Sequence, residues 1–432
     1  MESTEHRVVV IGAGAAGAAA VRGLASVPGI GVCLLASSGE YPYNRTLVNK
    51  AVALGFVSPE GAATPDLGVE MRADSATAVN LLHKTVSTAS GSRMPFDSLV
   101  VATGSAPRRL DSVVSGLREA VSSGRLTTLH SLADGVRVRD ILAGIGDRAA
   151  HIVVLGAGLL GAETASLLAD RGHDVTLVAR SSTPGVGAMG AAVGARIADA
   201  HRDRIATRFG CSPIGFHTQE QAVYVALDDG STLLADLVVV ALGTEPTAPA
   251  PWRRGVDVDD RLRYLGAANV LAAGGVAVHH DERLGTWRSD HWDDAASQGS
   301  HSAAALLHHL GLAADPGPYV PRAMFAARIH GRDVMGFGLV GEKWEEQAVS
   351  IDPLVVVHRD GAAPVGAVGV DAPLEILAWS QSLLQSPSVA LGDVSKAGSY
   401  GSATSDEDNL KGGAGRPPGP TSSKSDVLDM RA

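Results

Sequence analysis

Two stretches of this 432-residue chain carry glycine at a spacing that lets backbone wrap a phosphate: Gly12-Ala-Gly-Ala-Ala-Gly17 and Gly156-Ala-Gly-Leu-Leu-Gly161. In such a turn the first glycine permits the tight bend, the second lets main chain approach a pyrophosphate, and the third lets a helix close on a strand. The helix that follows directs free N–H groups and its positive dipole end at the phosphates. One match arises readily by chance. Two in matching context argue for two dinucleotides, and hydride passing from one to the other is the economical reason for both. The remaining candidates are weaker. Cys33 and Cys211 are the only cysteines and form no Cys-x-x-Cys pattern, so a disulfide framework and a cysteine metal site are excluded and no thiol relay within the chain is expected. His279-His280-Asp281 and His308-His309 invite a metal reading, but adjacent histidines point in different directions on a helix or strand, and no metal site is expected.

The elements that must position the glycines are visible as short β-branched runs ending in glycine. Arg7–Gly12, Leu99–Gly104, His151–Gly156 and Leu237–Gly243 share that form, and Asn269–Gly274 is a less branched fifth. Continuous apolar runs suit strands buried on both faces, as in parallel α/β sheets. Two of them lead into Ala/Leu-rich stretches of helical type, Ala18 to Ala25 and Ala162 to Arg171. The order is strand, glycine turn, helix and further strands, then the same again. From about Gly317 short alternating segments with glycine turns, such as Val334–Val340 and Leu354–Val357, read as an antiparallel sheet. After Gly392 the chain is Ser, Gly, Pro and mixed charge, a composition that cannot bury enough surface to offset its ordering entropy.

Composition narrows the partners. A formal net charge of −10 argues against nucleic acid, which needs clustered Lys and Arg. Aromatics are only 4%, so Ala, Val and Leu must fill the core. The polar, acidic start is no signal peptide, and glycines and charges break every apolar run before it could span a bilayer. No membrane partner and a cytoplasmic location are expected; oligomeric state is not legible.

Taken together, these motifs resemble the FAD-dependent pyridine-nucleotide oxidoreductases, in particular the ferredoxin/rubredoxin reductase branch that includes apoptosis-inducing factor. The resemblance rests on both glycine turns, Pro42–Lys50, Ala102–Arg108, Gly161-Ala-Glu163, Gly243–Pro246 and Arg288-Ser-Asp-His-Trp292, spanning roughly residues 7 to 370. It implies an α/β fold of two nested Rossmann-like dinucleotide-binding domains plus a C-terminal α/β domain with an antiparallel sheet. The expected boundaries are 1–110 with 236–315 for FAD, 111–235 for NAD(P), 316–392 for the C-terminal interface domain and 393–432 for a disordered tail. It also implies that Arg45 and Lys50 bind FAD, that Lys50 sits by the flavin paired with Glu163, and that Thr103 and Gly104 close the strand beside FAD. Gly243, Gly274 and Gly275 would line the same cofactor through backbone.

A Lys near the flavin edge stabilises charge arriving with a hydride, and a neighbouring carboxylate keeps it oriented. Lys50 and Glu163 are therefore the expected catalytic pair. The donor is read at the end of the second strand of the second unit. A carboxylate there favours NADH, whereas an Arg accommodates the 2′-phosphate of NADPH. Ala179 holds the acid position and Arg180 follows, with Ser181 and Ser182 as helpers, so NADPH is expected and NADH is the alternative. Gly161 fits either.

Three positions depart from the pattern. Ser37 stands where an acid usually holds the adenosine ribose, Gly275 replaces an Asp that bonds the ribityl chain, and Met324–Arg328 lacks the usual Trp-Ser pair near the flavin. Loss of two polar contacts of about 1 to 3 kcal/mol each would weaken FAD binding by orders of magnitude. The expected function is transfer of hydride from NADPH to FAD and of electrons onward to a ferredoxin, a rubredoxin-type protein or a small oxidant. The alternatives are a degenerate relative that binds nucleotide or partner without turnover, and an enzyme acting directly on a small molecule. Arg253, Arg254, Arg261 and Arg263 are the candidate docking cations.

Overall fold

The structure, a computed structural model, describes residues 5–37, 42–282 and 284–385. The tail expected over 393–432 lies outside the described residues.

The first β-branched run forms the His6–Ile11 strand, the centre of a five-stranded sheet ordered Val270–Ala272, Ser98–Val101, His6–Ile11, Ile30–Ala36, Glu70–Ala73. Every pairing in it is parallel. Alternate residues feed two cores, as period two demands. Val9, Ile11, Leu99 and Val101 pack on one side. Val8, Val10 and Val100 pack on the other against Ala20, Val21 and Leu24 of helix α1 (Ala15–Leu24). Each such aliphatic side chain contributes about 1.5–3 kcal/mol when fully buried, which is how a core poor in aromatics is still held.

The second run forms His151–Leu155, central in another five-stranded parallel sheet ordered Ala206–Phe209, Asp174–Ala179, His151–Leu155, Leu237–Val240, Leu126–Thr128. Helix α2 (Leu159–Asp170) follows its glycine turn, and helix α3 (Ala191–Arg202) follows the next strand. The Leu237–Val240 strand follows the boundary expected at 236. It pairs residue for residue with Ile152–Leu155, so the chain leaves the second sheet only after Val240. The two passages between the sheets then run side by side, Ser105–Pro107 antiparallel to Thr244–Pro246.

Helix α4 (Trp292–His309) packs across α1. Gly299 allows the close crossing, because an added Cβ would overlap the carbonyl of Ala16. A third five-stranded sheet, ordered Phe325–Ile329, Arg332–Gly338, Ala363–Val370, Leu354–Asp360, Glu345–Ile351, is wholly antiparallel, as the alternating pattern predicts. Glu346 ties it to the second unit: its carboxylate accepts from the backbone N–H of Ala191 and, at 3.0 Å, of Ala192, capping the N-terminus of α3. Among the described residues no helix is long and apolar enough to cross a membrane.

Candidate functional site

Both glycine turns have the geometry their spacing predicts. Gly12 and Gly156 each adopt φ +103°, and a Cβ would overlap the Ala102 carbonyl in one and the Ala241 carbonyl in the other. Gly17 and Gly161 lie against the carbonyls of Gly12 and Gly156, leaving no room for a side chain. Gly14 and Gly158 face open space, with no atom within 4 Å of an added Cβ. They are also the N-caps of α1 and α2, and neither helix receives a side-chain cap. Each turn therefore presents unsatisfied N–H groups around an open approach, a cradle for phosphate oxygens.

The segment after the first unit's second strand brings up the polar groups. Lys50 lies in a π-helical turn, Val48–Val52, and its Nζ is 3.1 Å from Glu163 Oε1. Glu163, only 5% exposed, sits in the first turns of α2. It also accepts from Asn49 Nδ2 at 3.0 Å and from the Arg328 backbone N–H at 3.2 Å, so a buried carboxylate has its charge answered on three sides. Lys50 donates in addition to the Ala326 carbonyl at 3.1 Å. Met324–Arg328, the segment lacking the Trp-Ser pair, thus reaches the Lys–Glu pair through its backbone. A cavity of about 350 Å³ opens there, lined by Lys50, Glu163, Ala326, Arg328, Val334 and Met335.

Arg45 lies in the same segment, ahead of the turn that carries Lys50. Its Nη1 is 2.7 Å from His130 Nε2, which is 2.8 Å from the Ser105 carbonyl oxygen. Burial, then the Arg45 guanidinium, hold the His130 imidazole below its ordinary pKa. Thr103 donates its hydroxyl to the Thr247 carbonyl, and Gly104 and Gly243 take φ of +71° and +82° on the two passages between sheets. Gly274 (φ +78°) donates its N–H to Gln298 Oε1 at 2.7 Å and lies against Ala16. At Gly275 a Cβ would overlap Asp290 Oδ1. Ser37 is exposed at the end of its strand and touches none of these groups through a hydrogen bond.

Sequence reasoning missed Asn49, His130 and Asp290. Asn49 carries the weak signal of adjoining Lys50, Asp290 lies inside the quoted Arg288–Trp292 motif, and His130 carries no signal. His291 precedes the first residue of α4 without a side-chain capping bond and stacks on Phe325 with centroids 5.4 Å apart. Of the paired histidines, His279 stacks on Trp287 while His280 faces Asp257, 2.8 Å away. Arg180 is exposed and makes no hydrogen bond or ion pair among the described residues. Two expected docking cations are already committed: Arg261 pairs with Asp260 and Asp315, and Arg263 with Asp259. That patch shrinks to the exposed Arg253 and Arg254.

A family model described as pyridine nucleotide-disulphide oxidoreductase matches residues 6–299. The chain belongs to this family. As a pyridine-nucleotide oxidoreductase it uses FAD and a nicotinamide nucleotide, and its residues fit both: two uncapped helix ends with open glycines, and a free Arg beyond the second. Its two cysteines, Cys33 and Cys211, are both free. The ferredoxin reductase component of chlorobenzene dioxygenase from Cupriavidus sp. (strain PS12) is 29% identical over 73% of this chain and 76% of that protein. A covalent putidaredoxin reductase–putidaredoxin complex superposes with a TM-score of 0.76 over 88% of this chain and 94% of that one, at 23% identity. An engineered water-forming NADPH oxidase bound to NADPH has a TM-score of 0.69 over 88% of this chain and 89% of that one, at 20% identity. Its substitutions include Asp to Ala, Ala to Arg and Met to Ser at three consecutive positions.

Proposed function

We propose that this enzyme takes hydride from NADPH into FAD and hands the electrons on to an iron–sulfur protein of ferredoxin or rubredoxin type, working in the cytoplasm. The observation that carries the reading is the Lys50–Glu163 ion pair at 3.1 Å. Glu163 belongs to the helix opened by the second glycine turn, whereas Lys50 belongs to the segment leading from the first sheet. One polar contact thus joins what two cradles would hold.

On this reading the Gly12–Gly17 turn and the N-terminus of α1 bind the FAD pyrophosphate, with Arg45, Lys50, Thr103, Gly104, Gly243, Gly274 and Gly275 along the rest, and Ser37 free to meet the adenosine ribose. The Gly156–Gly161 turn and α2 bind the nicotinamide nucleotide. FAD, when bound, supplies the capacity to accept two electrons as hydride and release them singly. Lys50 keeps its ammonium at the mouth of the site, oriented by Glu163 and the Ala326 carbonyl, where it stabilises incoming negative charge. Glu163, anchored by Asn49 and the Arg328 N–H, fixes Lys50. Arg180, exposed and unpaired, is available to a 2′-phosphate through charge-assisted hydrogen bonds. Ala179-Arg180-Ser181 repeats, in order, the three residue types introduced into the engineered NADPH oxidase.

The iron–sulfur acceptor is supported by the ferredoxin reductase relative and by the absence of a cysteine pair. Arg253 and Arg254 are the cations left to meet an acidic partner. A binding protein without turnover would have no use for the Lys50–Glu163 pair. The test is NADPH-dependent reduction of cytochrome c by the FAD-loaded enzyme with and without an added two-iron ferredoxin. A rate that rises with ferredoxin supports the reading. NADPH consumption that ferredoxin and rubredoxin leave unchanged contradicts the acceptor.

A further inference from the structure

We infer that Asp290 supplies the carboxylate that holds the ribityl chain of FAD, in the space that a side chain at residue 275 would otherwise fill. The inference rests on FAD occupying the first unit. A line of contacts runs from Arg45 to the phosphate turn. Arg45 adjoins His130, His130 adjoins the Ser105 carbonyl, and Ser105 Oγ donates to Asp290 Oδ2 at 2.6 Å. Asp290 Oδ1 then faces Gly275, and the neighbouring Gly274 lies against Ala16 in the first turn of α1. Asp290 therefore links Arg45, expected to bind FAD, to the turn expected at the pyrophosphate.

Its two oxygens are used differently. Oδ2 accepts from both Ser105 and Thr244, the hydroxyls at the heads of the two passages between sheets. Oδ1 has no donor among the described residues, although the side chain is 30% exposed. Arg288 lies 3.6 Å from Oδ2 and directs its Nη1 to the Gly275 carbonyl at 3.0 Å instead. A carboxylate can only accept, so Oδ1 calls for a donor from outside the chain. The phosphates of FAD carry negative charge and no donor, whereas the ribityl chain between them and the ring carries hydroxyls. A Cβ at 275 would collide with Oδ1 where it stands, so a carboxylate at 275 would displace the Asp290 side chain from this space. The glycine at 275 is thus the space for Asp290 and not a lost contact.

The experiment compares wild type, Asp290→Ala and Asp290→Asn for affinity, read by flavin fluorescence, toward FAD and toward FAD analogues lacking one ribityl hydroxyl at a time. Asp290→Ala is expected to weaken FAD by about 10- to 100-fold. One analogue should weaken wild type by a comparable factor and Asp290→Ala by less than about threefold, the non-additivity that direct contact produces. Asp290→Asn keeps an acceptor for Ser105 and Thr244, so it should melt with wild type while binding FAD at least about tenfold more weakly. A loss equal for FAD and every analogue would mean that Asp290 acts only on the passages between sheets, and would overturn the inference. So would variants that bind FAD like wild type. A wild-type protein that binds no FAD at all would instead remove the reading beneath it.

Discussion

At Gly12 and at Gly156 the chain takes the same φ of +103°, and in each turn the third glycine closes on the first while the second faces open space. The two cradles make the same backbone demands, yet what surrounds them differs. The first is flanked by exposed Ser37, by Gly274 and Gly275, and by Asp290. The second is flanked by unpaired Arg180 and carries buried Glu163 on its helix. A glycine turn selects a pyrophosphate and nothing more; which dinucleotide it holds is decided by side chains at the ends of neighbouring strands. The first cradle also lies where α4 returns across α1, while the helix of the second meets the antiparallel sheet through Glu163 and the Arg328 N–H.

The largest effect is expected where the two regions meet. Lys50→Ala should lower the rate of flavin reduction by NADPH at least about 100-fold, measured by stopped-flow absorbance, with FAD still bound. A rate within a few-fold of wild type would separate the cradles and deny the pair its role. Next come the glycines. Gly14→Ala leaves the unliganded fold untouched or slightly stabilised, because its φ of −70° suits any residue and its surroundings are open. It should nonetheless weaken FAD by about 100-fold through collision with the pyrophosphate. Gly158→Ala should do the same to NADPH and spare FAD. Gly17→Ala, by contrast, collides with the Gly12 carbonyl and should lower the melting temperature of the unliganded protein. If Gly14→Ala and Gly17→Ala behave alike in ligand-free melting, the assignment of roles within the turn fails.

Acid should act on the first unit through His279, whose imidazole is held at about 4 by burial, against the opposing influence of Asp294 and Asp281. Its pKa is lowered in the folded state. Between about 6.5 and 4 the unfolded chain therefore binds a proton that the native chain refuses, and stability falls as pH drops through that window. At pH 5 the loss from this group is about 2 kcal/mol relative to neutral pH. Denaturant titrations at pH 7 and pH 5 should show it, and His279→Gln should flatten the difference. The smallest effect is at the second cradle's edge. Arg180→Gln should reduce the preference for NADPH over NADH by about tenfold in the ratio of kcat/KM values. An unchanged ratio would place the 2′-phosphate elsewhere.

The sequence made some of these features legible and concealed others. The glycine turns, the strands before them and the Lys50–Glu163 pairing could be read because each depends on local spacing or on a recurring order of motifs. The sheet to which Leu237–Val240 belongs could not, since a continuous apolar run suits the centre of either sheet and only its partner decides. Arg261 and Arg263 read as free charge because sequence shows a cation but not the distant Asp315 beside it. Gly275 read as a deletion for a similar reason: the carboxylate that fills the space arrives from a later segment. Glu346, capping α3 from another sheet, left no mark on the helix's own sequence.

The central claim is that two cradles bring a flavin and a nicotinamide to one Lys–Glu pair. Its most direct test is the visible absorption spectrum of the purified, FAD-supplemented protein before and after anaerobic NADPH. Oxidised-flavin bands should bleach with NADPH, and more slowly with NADH. Flavin bands that persist under both nucleotides, or a protein that takes up no FAD, would contradict the claim.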